Sequence, residues 1–189
     1  MLTRAPAITI TRRDLGREPI PHTDERYAHA LSSPAALQAA ESADALRLSE
    51  ELIEEVERAD VLVLGTPMNN FTVPAVLKAW IDQILRVGRS IGVNTAGEKV
   101  GLLQDKPVYV AIASGGFFTG ARAKQPDFLT PYLKAAFGCI GLHSLRFLPL
   151  QGTAFIAQHE LDASRNALIA EMDVTNPMAI PEEATHGKA

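Results

Sequence analysis

The stretch VLVLGTPMNNFTVPAVLKAWIDQIL, Val61 to Leu85, decides the fold of this chain. It begins with an uninterrupted apolar run, Val61–Leu64, which is typical of strands buried on both faces of a parallel sheet. The run ends in a loop, residues 66–71, that holds a proline, two asparagines and a phenylalanine. An amphipathic segment follows, with Pro74 near its first turn, where a missing N–H is harmless. The stretch therefore predicts a buried strand, a polar and aromatic loop, and a helix.

The helix predicted after this loop has an unusually wide apolar stripe. Its members are Val73, Val76, Leu77, Trp80, Ile81, Ile84 and Leu85. One face of a sheet would cover only part of such a stripe. Two explanations stand: the excess packs against a second subunit, or the helix lies deep within a single chain.

The composition of the chain bounds its class. With 189 residues, of which 47% are hydrophobic and 21% charged, it fits one globular domain. We place that domain at residues 1–175 and predict a disordered tail at residues 176–189, which hold two prolines and no periodicity. The net charge of −4 and the lack of a basic cluster argue against nucleic-acid partners and anionic membranes. No apolar run reaches the roughly 18 residues that a membrane span needs.

The single cysteine, Cys139, cannot form an internal disulfide. Its neighbours are apolar, so we interpret it as a core thiol in a reducing compartment, which predicts a cytoplasmic protein. The sequence contains no Ser-His-Asp or Cys-His constellation, and no metal ligands at a recognisable spacing.

Strand and helix patterns alternate along the rest of the chain. Residues Ala7–Arg12 alternate apolar and polar, as a strand does, and residues 19–42 read as loop. The remaining segments are a helix ending near Ala59, a small hairpin in residues 90–103, strands at Val108–Ala113 and Leu145–Leu150, and helices in residues 126–142 and 161–172. This order predicts an α/β fold with a doubly wound parallel sheet in three layers, α/β/α. Ligands of such sheets bind outside the carboxyl ends of the strands.

Two predicted strand ends carry unusual loops, Thr66–Phe71 and Ser114–Gly120. A flavin ring needs an apolar surface, and it also needs donors and acceptors along its pyrimidine edge, where negative charge develops on reduction. Gly115 and Gly116 let the backbone approach such a ring closely, and Asn70 offers an amide with both donors and acceptors. The alternative is that both loops are ordinary strand-to-helix turns.

Several motifs in order resemble the FMN-dependent NADH azoreductases, a branch of the flavodoxin-like quinone reductases. The resemblance rests on the segments Pro67–Phe71, Arg86–Ser90, Ser114–Gly116, Asp127–Leu133 and Gly138–Gly141, and it covers roughly Ile8 to Met172. The family's usual first loop is Pro-Met-Tyr-Asn-Phe, so Asn69 replaces a tyrosine. Many members also have Ser-Arg-Gly-Gly in the second loop, and this chain lacks that guanidinium.

The resemblance implies a flavodoxin-like fold, a homodimer, FMN as cofactor, NADH as electron donor, and quinones and aromatic azo compounds as substrates. It implies ping-pong two-electron transfer, with the chemistry on FMN and no catalytic side chain. By position, it assigns the FMN contacts to Met68, Asn69, Asn70, Phe71, Ser114, Gly115, Gly116 and Phe117. We place Phe118 and Thr119 against the substrate, with the ring of Phe118 over the open face of the flavin.

Family members open with a strand, a Ser-rich loop that binds the FMN phosphate, and a helix. The chain shows no such unit, and Ala7–Arg12 matches the family's second strand. In the flavodoxin order 2-1-3-4-5 the absent strand is the central one, so its two neighbours would be unpaired with a slot between them. A truncated start explains this pattern, and so does a variant in which something else fills the slot. The 189-residue chain is expected to bind FMN weakly.

Two other functions remain open at this point. One is a flavodoxin-like electron carrier without substrate turnover, which would be more acidic and would lack the wide helical stripe. The other is a flavin-free remnant that acts only as a binding module. Flavin content after purification separates the last from the others. The physiological substrate and the choice between NADH and NADPH are not encoded in any motif that we recognise.

Overall fold

The computed structural model describes residues 8–172, apart from the side chains of residues 40 and 41. The predicted tail at residues 176–189 lies outside this range. In chain order the elements are α1 (Glu25–Ala30), α2 (Pro34–Gln38), α3 (Ala40–Arg58), β1 (Leu62–Pro67), α4 (Ala75–Ile84), β2 (Ile91–Val93), β3 (Lys99–Gly101), β4 (Val108–Ala113), α5 (Leu129–Cys139), β5 (Leu145–Leu150) and α6 (Gln158–Ala170).

A parallel sheet in the order β1-β4-β5 forms the centre of the fold. Leu62 is in register with Val108, and Val108 with Leu145, so the three strands begin and end together. The apolar runs predicted at these places are confirmed as strands, but the predicted burial of both faces is wrong for β1, because Val63 is 59% exposed. A separate antiparallel hairpin, β2-β3, confirms the predicted excursion in residues 90–103.

The helices α3, α4 and α5 cover one face of the sheet. Alternate strand residues, among them Val108, Val110 and Ile112, pack there with Leu52 and Phe137 from the helices. On the opposite face α6 lies against β5, and the Arg146 side chain donates to the Glu171 carbonyl at 3.1 Å. Helices on both faces of a parallel sheet confirm the predicted α/β fold class.

Most of the wide stripe of α4 is buried within this chain, and only Val76 and Leu85 are half-buried. Leu77, Trp80, Ile81 and Ile84 are all buried, and Trp80 lies 6.2 Å from the Phe137 ring, centroid to centroid. The helix is therefore covered by its own chain. The second explanation of the stripe is confirmed, and the stripe gives no evidence for a subunit interface.

The strand predicted at Ala7–Arg12 does not form over the residues described. Residues 8–13 are irregular, Ile8 and Ile10 are 70% and 82% exposed, and Arg13 donates to Glu55 at 2.6 Å and to Glu51 at 3.2 Å. An alternating pattern stabilises a strand only when one face is buried and a neighbour completes the ladder. No strand among residues 8–172 pairs with this segment.

The outer edge of β1 has no pairing strand within the described range. Val63 is 59% exposed, and Gly65, Ala111 and Ala113 on the same face are exposed as well. The sequence predicts an unpaired edge next to this strand, and the exposed edge lies at the predicted place.

The loop predicted for residues 19–42 contains two short helices, which corrects that prediction. Asp24 caps α1 by accepting the Tyr27 N–H at 2.9 Å, and Ser33 caps α2 by accepting the Ala36 N–H at 3.1 Å. Pro34 stands at the first position of α2. These are ordinary start signals, but each helix is too short to show a periodic apolar face.

Cys139 ends α5 and is exposed, so the prediction of a core thiol is wrong. Its apolar neighbours in sequence, Phe137 and Ile140, point into the core, and the 3.6-residue period turns position 139 to the solvent. No helix within residues 8–172 is long and apolar enough to cross a membrane.

The loop after α4 is held by a buried arginine. Arg86 is 5% exposed and donates to the Leu46 carbonyl at 3.3 Å, to Ser49 Oγ at 3.1 Å and to Glu50. Arg89 donates to the same Glu50 carboxylate at 2.6 Å. Burial favours a raised pKa for Glu50, but hydrogen bonds from both arginines outweigh it and lower the pKa.

Asp105 joins the starts of β4 and β5. Its carboxylate accepts the His143 N–H at 2.8 Å, the Ser144 N–H at 3.1 Å and the Ser144 hydroxyl at 2.8 Å. Partial burial favours a raised pKa, and these hydrogen bonds to the charged form outweigh it, so the Asp105 pKa is lowered.

Candidate cofactor site at the carboxyl edge of the sheet

The loop after β1 is a tight two-residue turn. Asn69 and Thr72 exchange backbone hydrogen bonds of 2.9 and 3.1 Å, and the turn residues Asn70 and Phe71 have φ of 47° and 71°. Asparagine tolerates this left-handed region, but a phenylalanine there costs roughly 1–2 kcal/mol. Local strain of this kind is concentrated at functional sites. The strained backbone marks the loop after β1 as a candidate binding site.

The loop after β4 is tied to the loop after β5. The Ser114 side chain is buried. The backbone N–H of Ser114 donates to the Leu150 carbonyl at 2.9 Å, and its backbone carbonyl accepts the Thr153 N–H at 3.1 Å. The Gly116 carbonyl accepts the Gly152 N–H at 3.1 Å. These bonds fix the backbone of the second loop through its carbonyl groups and leave its next N–H groups available.

Five backbone N–H groups on the two loops have no acceptor among residues 8–172. They belong to Asn70, Phe71, Gly115, Gly116 and Phe117. Because β1 and β4 are adjacent and in register, both loops leave the same edge of the sheet. Clustered N–H dipoles of this kind favour a ligand edge rich in acceptors or carrying negative charge.

A cluster of three side chains connects the two loops. Gln125 Nε2 lies 3.2 Å from Ser114 Oγ and 3.2 Å from Met68 Sδ, and Ser114 Oγ lies 4.0 Å from the same sulfur. Met68 packs against the core, so the cluster lies on the core side of the loops. No sequence signal distinguishes Gln125, because a lone glutamine in a loop belongs to no motif.

Phe117 is half-buried between two unusual partners. The Arg122 guanidinium carbon lies 4.1 Å from its ring centroid, a cation–π distance. On another side lies Gly152, whose φ is +72°, and a Cβ placed there would be 2.5 Å from Phe117 Cζ. Only glycine at position 152 leaves space for the ring in its present place.

The placement of Phe118 over an open face is wrong. Its side chain is 5% exposed and belongs to the hydrophobic core. The N–H groups of Phe118 and Thr119 donate to Gln151 Oε1 at 2.8 and 2.9 Å, which holds the segment down. The Phe-Phe pair is asymmetric because consecutive side chains point in different directions, so only the first ring borders the site. Thr119 remains exposed.

Three other phenylalanines are exposed on the loops that follow β1, β4 and β5. Phe71, Phe128 and Phe155 are 45%, 59% and 76% exposed, and the Phe128 N–H donates to the Phe71 carbonyl at 3.1 Å. We call these three residues the aromatic rim. Neither Phe128 nor Phe155 is predicted as a site residue from the sequence: Phe128 falls in the helix predicted at residues 126–142, and Phe155 belongs to no motif.

Apart from the Arg122 guanidinium that lies on Phe117, the groups that the two loops offer are amides, hydroxyls, a thioether and aromatic rings. None of these ionises near neutral pH, so the loops can hold a ligand but cannot themselves transfer a proton or electrons. Two cavities, of about 240 and 520 Å³, lie elsewhere, near α1 and next to Arg86. Neither is lined by a residue of the loops after β1 and β4.

The strand order, parallel pairing and loop positions define a flavodoxin-like fold. Residues 2–173 match the protein family described as having the flavodoxin-like fold, and the chain belongs to this family.

Similar proteins carry more specific names. The chain is 47% identical over 168 residues to FMN-dependent NADH:quinone oxidoreductase 4 of Pseudomonas fluorescens, covering 87% of this chain and 79% of that protein. It is 48% identical over 149 residues to FMN-dependent NADH:quinone oxidoreductase 5 of Burkholderia lata, covering 79% and 71%. The crystal structure of an FMN-dependent NADH-azoreductase from Bacillus anthracis in complex with FMN is 26% identical, with a TM-score of 0.68 over 84% of this chain and 77% of that one. The predicted family membership is confirmed.

Proposed function

We propose that this protein is an FMN-dependent NADH oxidoreductase that reduces quinones and aromatic azo compounds. Its relatives with 47% and 48% identity are named FMN-dependent NADH:quinone oxidoreductases, and a structural neighbour is an FMN-dependent NADH-azoreductase. The observation that carries the proposal is the set of five free N–H groups on two loops without an ionisable side chain. Such loops can bind a redox cofactor and cannot replace one.

The residues at the two loops fit the ring of FMN. The pyrimidine edge of the ring carries carbonyl acceptors, and its negative charge on reduction is matched by the N–H groups of Gly115, Gly116 and Phe117. Asn70 adds a side-chain amide, and the exposed Phe71 side chain adds apolar surface, while Met68 supports the loop from its core side. FMN supplies the two-electron chemistry when it is bound.

The protein's own residues bind the cofactor and the substrate and orient them. The turn at Asn70 and Phe71 holds two N–H groups in a fixed direction, and the bonds from the loop after β5 fix Gly116. We assign the substrate contact to the aromatic rim and to Thr119, in place of Phe118. Flat, conjugated quinones and azo compounds stack on aromatic rings. One shared site for NADH and quinone predicts ping-pong kinetics, seen as parallel double-reciprocal lines.

We propose a homodimer as the working form. Val87, Val93 and Leu102 are 54%, 61% and 53% exposed, and they provide apolar surface next to the hairpin that could meet a second copy. Light scattering at micromolar concentration tests this, and a monomer would contradict it. A cytoplasmic location agrees with one exposed, unpaired thiol, Cys139, which is stable in a reducing compartment.

The decisive test is to remove the Asn70 amide without straining the turn. Asn70→Gly tolerates φ of 47°, whereas alanine would add backbone strain. Loss of one or two hydrogen bonds of about 1 kcal/mol each should raise the Kd for FMN about 5- to 25-fold. Asn166→Ala, an exposed position on α6, is the control and should leave the Kd unchanged.

NADH oxidation with a quinone and with an azo dye is then measured for the same variants. The proposal expects FMN-dependent turnover in the wild type and a loss in Asn70→Gly that excess FMN partly restores. Unchanged FMN binding together with an unchanged rate would show that the loop after β1 is only a turn.

A further inference from the structure

We propose that Gln125 is a positioning residue that sets the spacing of the two cofactor-binding loops, an inference that rests on the proposed FMN site. Its carboxamide nitrogen lies within hydrogen-bond distance of Met68 on one loop and of Ser114 on the other, at 3.2 Å in each case. Gln125 is the only described residue that makes a side-chain hydrogen bond to both loops.

The local sequence leaves space for this amide. A Cβ placed at Gly116 would be 2.5 Å from Gln125 Oε1 and 3.1 Å from its carbonyl carbon. The absence of a side chain at position 116 therefore makes room for Gln125 on the core side of the loop. A branched residue at Gly116 would strike Gln125 before it could reach a ligand on the outer side.

The position of Gln125 in the chain explains how it acts. It lies between Gly120, with φ of +74°, and the start of α5, in a segment that is exposed from residue 119 to residue 124. One backbone bond, from the Lys124 N–H to the Phe117 carbonyl at 3.0 Å, holds the middle of the segment to the site. The amide of Gln125 thus transmits the position of this segment to both loops, and through them to the free N–H groups of Gly115 and Gly116.

The proposal is tested first in the FMN-free chain. Gln125→Met keeps the length of the side chain and removes the donor, and Lys124→Met is a control because that side chain is exposed and makes no bond to either loop. Amide hydrogen exchange is followed at Met68 and Ser114, whose N–H groups donate to Ala113 and Leu150 at 2.8 and 2.9 Å. Faster exchange at both amides is expected in Gln125→Met only.

The second measurement uses FMN. Loss of one good hydrogen bond should raise the Kd of Gln125→Met about fivefold. The visible absorption bands of the bound flavin should shift as well, because its polar edge meets displaced N–H groups. A purely structural role would not move these bands.

The possible outcomes separate the two proposals. Wild-type exchange at Met68 and Ser114 in Gln125→Met overturns the role of Gln125. Uniformly faster exchange, including in the β2-β3 hairpin, also overturns it, because that result means a general loss of stability. If the wild-type chain does not bind FMN even at concentrations that would reveal the weak binding expected of it, the proposed function of these loops fails, and the exchange result still decides whether Gln125 positions them.

Discussion

Gly152→Ala is the most informative perturbation of the site, because a matched control exists. Gly152 and Gly120 have φ of +72° and +74°, so an alanine at either position pays the same backbone cost. The strain of a left-handed alanine is roughly 1–2 kcal/mol. Alanine also lowers the conformational entropy of the unfolded chain, so the net loss in the free energy of unfolding is about 1 kcal/mol. A Cβ at Gly120 meets nothing within 4 Å, whereas at Gly152 it lies 2.5 Å from Phe117 Cζ.

The difference between the two variants therefore measures the contact with Phe117. Moving a half-buried ring should cost about 1 kcal/mol, the low end for overpacking, because part of the ring can shift towards solvent. We expect Gly152→Ala to lower the free energy of unfolding by about 2 kcal/mol and Gly120→Ala by about 1 kcal/mol. Adding Phe117→Ala removes the ring, so the extra loss in Gly152→Ala should disappear, with a coupling energy of about 1 kcal/mol.

Urea unfolding followed through the fluorescence of Trp80, the single tryptophan, gives these values directly. Trp80 is buried against Phe137, away from the altered loops, so the probe reports global unfolding. Equal destabilisation by the two alanines, or a coupling energy near zero, would refute the steric argument. If Phe117 contacts the cofactor, the Kd for FMN should rise in Gly152→Ala more than in Gly120→Ala.

Further substitutions test the other contacts that hold the fold and the site together. Arg86→Met should lower the free energy of unfolding by about 2–3 kcal/mol, because the partners of Arg86 lose a buried donor. The Arg89 side chain is more exposed, so Arg89→Met should lower it by less than about 1 kcal/mol. Urea titration compares the two variants. Asp105→Ala should cost about 1 kcal/mol at pH 7. Since the folded pKa of Asp105 is lowered, its contribution to the free energy of unfolding is present above the unfolded pKa of about 4 and is lost as pH falls through the folded pKa. The thermal stabilities of wild type and variant should therefore converge in acid. A difference in stability that does not change with pH would contradict the assignment. Gln151→Leu leaves the N–H groups of residues 118–119 without their acceptor and should cost about 1–2 kcal/mol, with faster exchange at those two amides as the specific sign.

The sequence determined the parts of this protein that depend on local order and on burial. The apolar runs at Val61–Leu64 and Val108–Ala113 predict strands, and the helical segment between them predicts parallel pairing, which the structure shows. That topology places the ends of β1 and β4 side by side, so the sequence also located the two loops. The motifs in those loops identified the family, and the comparisons confirmed it.

The tertiary structure decided where individual side chains point. Phe117 and Phe118 are adjacent and identical in type, yet one borders the site and the other is buried, because Gln151 fixes the backbone between them. Ala7–Arg12 has a strand pattern, but a strand also needs a paired neighbour, and no strand among the described residues pairs with this segment. Gln125 reaches both loops from 11 residues beyond Ser114, and no spacing rule connects it to them. Local pattern reflects which face of the chain is apolar, whereas orientation and cross-chain hydrogen bonds depend on contacts between residues that are distant in sequence.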